Sequence, residues 1–132
     1  MKLIQRGSHQ TVTTDTPWEP VMGYSRAVRA GSFIAVTGTV GILPDGSYPT
    51  TIEEQTRRSL EIVRDAIEAL GGRMEQVIRT RIFTTDISQW SRIASVHGKA
   101  FAEIRPATTL VQVCKLIDDR ALLEIEVDAI VD

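Results

Sequence analysis

The sequence predicts an α+β fold, a mixed β-sheet with two helices packed on one face. Three observations predict it. Short runs alternate apolar and polar residues with a period of two, two longer stretches repeat at helical spacing, and glycine, proline or aspartate separates them. The order is hairpin, helix, strand, helix, hairpin. Strands with one apolar face and helices with one apolar stripe bury both as two layers, here a sheet of four or five strands under two helices.

The first twenty residues, with several Thr and two Pro, read as irregular structure containing one short edge strand. Tyr24-Ser25-Arg26-Ala27-Val28-Arg29 alternates, Ala30-Gly31-Ser32 turns, and residues 33–40 follow as an apolar strand, the pattern of a hairpin. Pro44-Asp45-Gly46-Ser47 is loop chemistry. The first helix opens at Thr51, which forms a capping box with Glu54. Thr56, Leu60, Val63, Ile67 and Leu70 give its buried stripe, and Gly71-Gly72 its stop. Residues 76–85, with Val77, Ile78, Ile82 and Phe83, form a strand. The second helix starts at the N-cap Asp86 and ends before Pro106, with Trp90, Ile93, Ala94, His97, Phe101 and Ile104 on one stripe. Residues 108–116 and 122–131 close the fold as a hairpin joined through Asp118-Asp119-Arg120.

Composition narrows the function. A chain of 132 residues has the usual size of one domain, 1–132, and its 42% hydrophobic residues supply a core without staples. The net charge of −2 and the lack of any Lys/Arg run leave little for counterion release, which disfavours nucleic acid as a partner. A single cysteine, Cys114, excludes an internal disulfide and a thiolate zinc cluster, and two histidines, His9 and His97, make a His-rich metal site improbable. Cys114 reads as an inert buried strand residue. No apolar stretch suits a signal peptide or a membrane span, so a reduced, cytoplasmic protein is expected.

Chemistry has few places to sit. In residues 122–129 the period of two puts Leu123, Ile125, Val127 and Ala129 on one face and Glu124, Glu126 and Asp128 on the other. Such acids form a solvated face unless one of them enters a cleft and handles protons. The pattern does not choose among the three. His97 lies on an apolar stripe, where a packed, hydrogen-bonded histidine is commoner than a catalytic one. No nucleophile elbow, phosphate-binding loop or dinucleotide fingerprint occurs.

From Tyr24 onward the chain resembles the RidA/YjgF family of small enamine/imine deaminases and their relatives. The matching stretches are Phe33-Ile34-Ala35-Val36-Thr37-Gly38-Thr39, Gln55-Thr56 with Leu60, Arg105-Pro106-Ala107-Thr108-Thr109, Val111-Gln112-Val113 with Leu116, and Leu123 through Ile130. Their order and spacing over about a hundred residues carry the resemblance, more than any single motif. It implies a chorismate-mutase-like fold assembled as a homotrimer, with a small-molecule cleft at each subunit interface and neither metal nor organic cofactor. It also implies that Glu124 is the glutamate that orients or activates water, and that Tyr24 and Thr37 line the pocket. The chain departs from the pattern where the deaminating members carry a carboxylate-clamping arginine, because Thr108 stands there. Ala94 replaces an asparagine, and His97 replaces an aromatic and is placed to assist Glu124. Arg26, on the same strand face as Tyr24, is proposed to supply the anion contact from another wall, against the alternative of a pairing with an acid. Trp18 and Glu19 either cover the cleft or pack the N-terminal segment.

Two functions follow from the resemblance. The first is hydrolytic deamination of an imine or enamine that is not a carboxylate-clamped 2-imino acid. The alternative is a non-catalytic, small-molecule-binding or regulatory trimer. A ribonuclease activity is disfavoured by the acidic balance.

Overall fold

The computed structural model describes residues 1–132. Seven strands form one sheet: β1 (Lys2–Arg6), β2 (His9–Thr13), β3 (Ala27–Ala30), β4 (Phe33–Thr39), β5 (Val77–Thr84), β6 (Ala107–Gln112) and β7 (Leu123–Ile130). Their spatial order is β1-β2-β3-β4-β7-β5-β6, with every neighbouring pair antiparallel except β5 and β6. Three helices complete it: α1 (Trp18–Met22), α2 (Ile52–Ala69) and α3 (Trp90–Ala100).

The central elements match the sequence pattern. Thr51 caps α2, its Oγ1 accepting from the Glu54 amide at 3.2 Å. Gly71 follows the helix at φ 82°, a left-handed conformation open to glycine. Ile52, Leu60, Val63, Ala66 and Ile67 of α2 and Leu70 just after it, with Ile93, Val96 and Phe101 from the α3 region, cover one face of the sheet. That face is built from Ile34, Val36, Ile82, Leu123, Ile125, Val127 and Ala129. The opposite face is polar at its centre, where Arg81 donates to Glu126 at 3.0 Å and lies 3.4 Å from Asp128.

Four expectations need correction. The N-terminal segment is a hairpin, β1–β2, followed by a short helix. Only Ile4 of β1 is even partly covered, so an edge strand of this kind shows no alternation to read. The sheet therefore has seven strands, not four or five. The last two strands do not pair as a hairpin. The chain runs β5–α3–β6 as a helical crossover between parallel strands, and β7 then inserts between β4 and β5. The strand at residues 108–116 stops at Gln112, which leaves Cys114 exposed in the following segment. Finally, a 3₁₀ turn, Ile87–Gln89, precedes α3, and the buried residues of the helix are Ile93 and Val96, while Trp90 is 57% exposed and Ala94 is exposed.

Buried Gln55 fixes the approach to β7. Its amide nitrogen donates to the carbonyls of Pro49 and Arg120, both at 2.9 Å, and its oxygen accepts from the Leu122 amide at 2.8 Å. One side chain thus ties the loop before α2 to the segment that leads into the last strand.

Candidate functional site

The site begins with an irregularity in β4. Val36 pairs with Val127 but Thr39 pairs with Ile125, so three steps along β4 match two along β7. The extra residue forms a bulge around Thr37 and Gly38. Thr37 Oγ1 donates to the Ser25 carbonyl at 2.6 Å, and Thr39 Oγ1 donates to the Thr37 carbonyl at 2.7 Å. Arg26 pins the same segment, donating from Nη1 to the Gly38 carbonyl at 2.9 Å and to Thr39 Oγ1 at 3.2 Å.

Glu124 lies across this bulge. It alternates with buried Leu123 and Ile125, so its side chain leaves the sheet on the face away from α2 and α3. A Cβ built on Gly38 would fall 1.8 Å from Glu124 Oε1. Burial raises the Glu124 pKa, Arg26 pulls it back, and Glu126 adds to the rise. The net direction is upward, as a proton-handling carboxyl requires.

Arg26 is itself balanced by a second carboxylate. Glu19, 3% exposed on α1, accepts from Thr13 Oγ1 at 2.7 Å, Thr14 Oγ1 at 2.9 Å, Thr16 Oγ1 at 2.7 Å and the Thr16 amide at 3.0 Å. Its Oε2 lies 3.8 Å from Arg26 Nη2. Burial tends to raise the Glu19 pKa, but these hydrogen bonds outweigh it and hold the carboxyl below its ordinary value. Arg26 also donates to Thr14 Oγ1 at 3.3 Å and lies 5.7 Å from the Tyr24 ring centroid. It is thus a buried arginine paired with an acid, while still lining the cleft.

That cleft has a volume of about 940 Å³. Tyr24, Arg26, Thr37, Gly38 and Glu124 line it together, and Trp18, Met22, Ile42, Leu43 and Ile117 add apolar wall. Tyr48 also lines it, its hydroxyl buried without a hydrogen-bond partner and its ring 4.7 Å from the Arg120 guanidinium. Burial and the Asp118 charge push this phenol up.

The other two expected site residues lie elsewhere. His97 Nε2 is 2.9 Å from Thr80 Oγ1, which is 2.8 Å from Thr108 Oγ1. Thr80 pairs in register with core residue Val127, so this chain of three sits on the helix-covered side of the sheet. Glu124 leaves the opposite side. Burial lowers the His97 pKa, which keeps the imidazole neutral near pH 7. No group of three or more His, Cys, Asp or Glu side chains is placed to hold a metal ion, and no helix is long and apolar enough to cross a membrane.

Sequence reasoning passed over Gly38, Thr80 and Tyr48, and left Glu19 undecided. A glycine inside a strand pattern signals a bulge or a close approach, and that signal was present at Gly38. Nothing local marks Thr80 or Tyr48.

The fold and cleft define a small α+β protein with a desolvated carboxylate held over a bulged strand. A family model described as Endoribonuclease L-PSP matches residues 14–131. A Mycobacterium tuberculosis protein, described as a member of the highly conserved YjgF/YER057c/UK114 family, is 40% identical and superimposes with a TM-score of 0.87 over 94% of this chain and 100% of its own. The 2-iminobutanoate/2-iminopropanoate deaminase of Escherichia coli strain K12 is 26% identical over 125 residues, 92% of this chain and 95% of its own. The structure of Escherichia coli TdcF with bound serine is 28% identical with a TM-score of 0.80, covering 100% of both chains. The chain belongs to the RidA/YjgF family.

Proposed function

We propose that the protein is a homotrimeric hydrolytic deaminase of small imines or enamines, with Glu124 as the residue that activates water. The observation that carries this reading is the raised, desolvated Glu124 carboxyl over Gly38 in a cleft large enough for a metabolite. The ionised carboxylate takes a proton from water as the oxygen adds to the carbon of a protonated C=N bond. It then returns the proton to nitrogen, and as the C–N bond breaks the carboxylate takes the remaining hydroxyl proton, which passes to the departing ammonia, so that ammonium and a carbonyl product leave. Protonation already makes the C=N carbon electrophilic, so the residues present suffice for this sequence of steps.

The substrate differs from a clamped 2-imino acid. Thr108 offers one neutral hydroxyl where a guanidinium would make two charged hydrogen bonds, and Arg26 already faces Glu19 at 3.8 Å. Losing a buried charge pair costs on the order of 2–5 kcal/mol, which is roughly 30-fold to several thousand-fold in affinity. Thr108 and Glu124 leave opposite faces of one sheet, so a ligand touching both would lie between two copies.

A non-catalytic binding trimer is the second reading, favoured by the same neutralised Arg26 and uncharged Thr108. The test is ammonia release from freshly generated imines and enamines, 2-iminobutanoate among them, by wild type, Glu124→Gln and Thr108→Arg. Turnover lost in Glu124→Gln supports the deaminase. Turnover of 2-iminobutanoate gained in Thr108→Arg supports a shifted specificity. If all three are inert while metabolites still raise the melting temperature, the binding reading replaces it.

A further inference from the structure

The contacts between α3, β5 and β6 form a continuous chain, His97 Nε2 to Thr80 Oγ1 at 2.9 Å and Thr80 Oγ1 to Thr108 Oγ1 at 2.8 Å. The first link is half-buried, with its ring 4.6 Å from the Phe101 ring, the middle one is fully buried, and the last is exposed. The Thr80 hydroxyl finds its only hydrogen-bond partners in the other two side chains. A buried hydroxyl needs an acceptor for its proton, so the polarity of the whole chain is decided at its ends.

We propose that His97, Thr80 and Thr108 form a reversible hydrogen-bond relay that makes Thr108 a ligand-binding hydroxyl of switchable polarity, suited to uncharged nitrogen and carbonyl groups. At rest Thr108 Oγ1 has an outlet, the Pro106 carbonyl at 3.3 Å. It donates there and accepts from Thr80, which in turn accepts from a protonated His97 Nε2. A ligand carbonyl or imine nitrogen takes the place of the Pro106 oxygen and keeps this direction. A ligand N–H reverses it: Thr108 accepts from the ligand and donates to Thr80, and Thr80 donates to an unprotonated Nε2. Neutral imidazole provides both states by moving its one proton between Nε2 and Nδ1, which no other side chain in this cluster can do. A carboxylate would gain only one neutral hydrogen bond at such a site. His97 acts here through Thr80 and Thr108 and is a positioning residue.

The ligand-facing role of Thr108 rests on the deaminase reading, whereas the relay does not, and the test separates them. Imidazole ¹⁵N spectra of the whole protein at neutral pH, with His97 assigned against His97→Gln, read the tautomer without substrate. Wild type and Thr108→Ser are expected to carry the proton on Nε2. Thr108→Val removes the hydroxyl to which Thr80 donates, and should move the proton to Nδ1 with the Nε2 resonance at its unprotonated position. The same tautomer in wild type and Thr108→Val, or an unprotonated Nε2 in wild type, overturns the relay. With a substrate whose turnover depends on Glu124, Thr108→Val should raise KM roughly three- to tenfold, the loss of one neutral hydrogen bond, with kcat little changed and Thr108→Ser restoring KM. An unchanged KM overturns the ligand-facing role while leaving the relay to the spectra.

Discussion

Gly38 has no side chain where Glu124 has its carboxylate: a Cβ on Gly38 would lie 1.8 Å from Glu124 Oε1. The bulge in β4, its anchoring by Arg26 and the rise in the Glu124 pKa all converge on that contact.

Gly38→Ala therefore separates stability from function. The atom in the way is the free end of a glutamate, so the side chain can swing aside, and the cost should fall at or below the usual 1–3 kcal/mol of overpacking. Activity should fall with the displaced carboxylate, approaching the loss expected for Glu124→Gln. Denaturant unfolding and ammonia release on the same preparation check this.

The raised Glu124 pKa gives a stability prediction with a definite sign. In the window above the ordinary glutamate value and below the folded-state pKa, the folded protein binds more protons than the unfolded chain, so wild-type stability falls there as pH rises. Glutamine does not titrate. Glu124→Gln should therefore gain stability relative to wild type as pH climbs through this window, and the gap should close again in acid. Unfolding free energies at several pH values read the difference directly.

Glu19 carries the opposite sign. Its hydrogen bonds hold the folded-state pKa below the ordinary value, so its contribution is present above the unfolded-chain pKa and is lost as pH falls through the folded one. Glu19→Ala also leaves Arg26 buried without its counter-charge, at a cost of roughly 3–5 kcal/mol in unfolding free energy. A loss below about 1 kcal/mol would mean that Arg26 finds another partner.

Assembly is testable apart from chemistry. The sheet face away from the helices exposes Phe33 at 39%, Ile130 at 38% and Val111 at 40% around the Arg81 ion pairs. A homotrimer would cover this face, and sedimentation should give one species of three chains. A stable monomer would remove the inter-subunit cleft from the account.

The helices and inner strands were legible because their burial is periodic. Thr51, Leu60 and Gly71 mark α2 from start to stop, and residues 123–129 alternate without a break. The hairpin β1–β2 was not legible, since Lys2–Arg6 is nearly all exposed. Nor was the insertion of β7 between β4 and β5, because pairing partners distant in sequence leave no local period. The same reason hides Thr80: a buried threonine in a strand looks like any other until His97 and Thr108 stand beside it. The resemblance singled out Glu124 from three equivalent acids, and only packing shows what surrounds it.

The most direct measurement is the pH–rate profile of ammonia release from the best substrate of the panel, for wild type beside Glu124→Gln. The account predicts that the wild-type rate rises with pH through an apparent pKa above the ordinary glutamate value, as Glu124 ionises, and that Glu124→Gln loses this limb and most of the rate. Equal rates for the two proteins across the whole profile would contradict it.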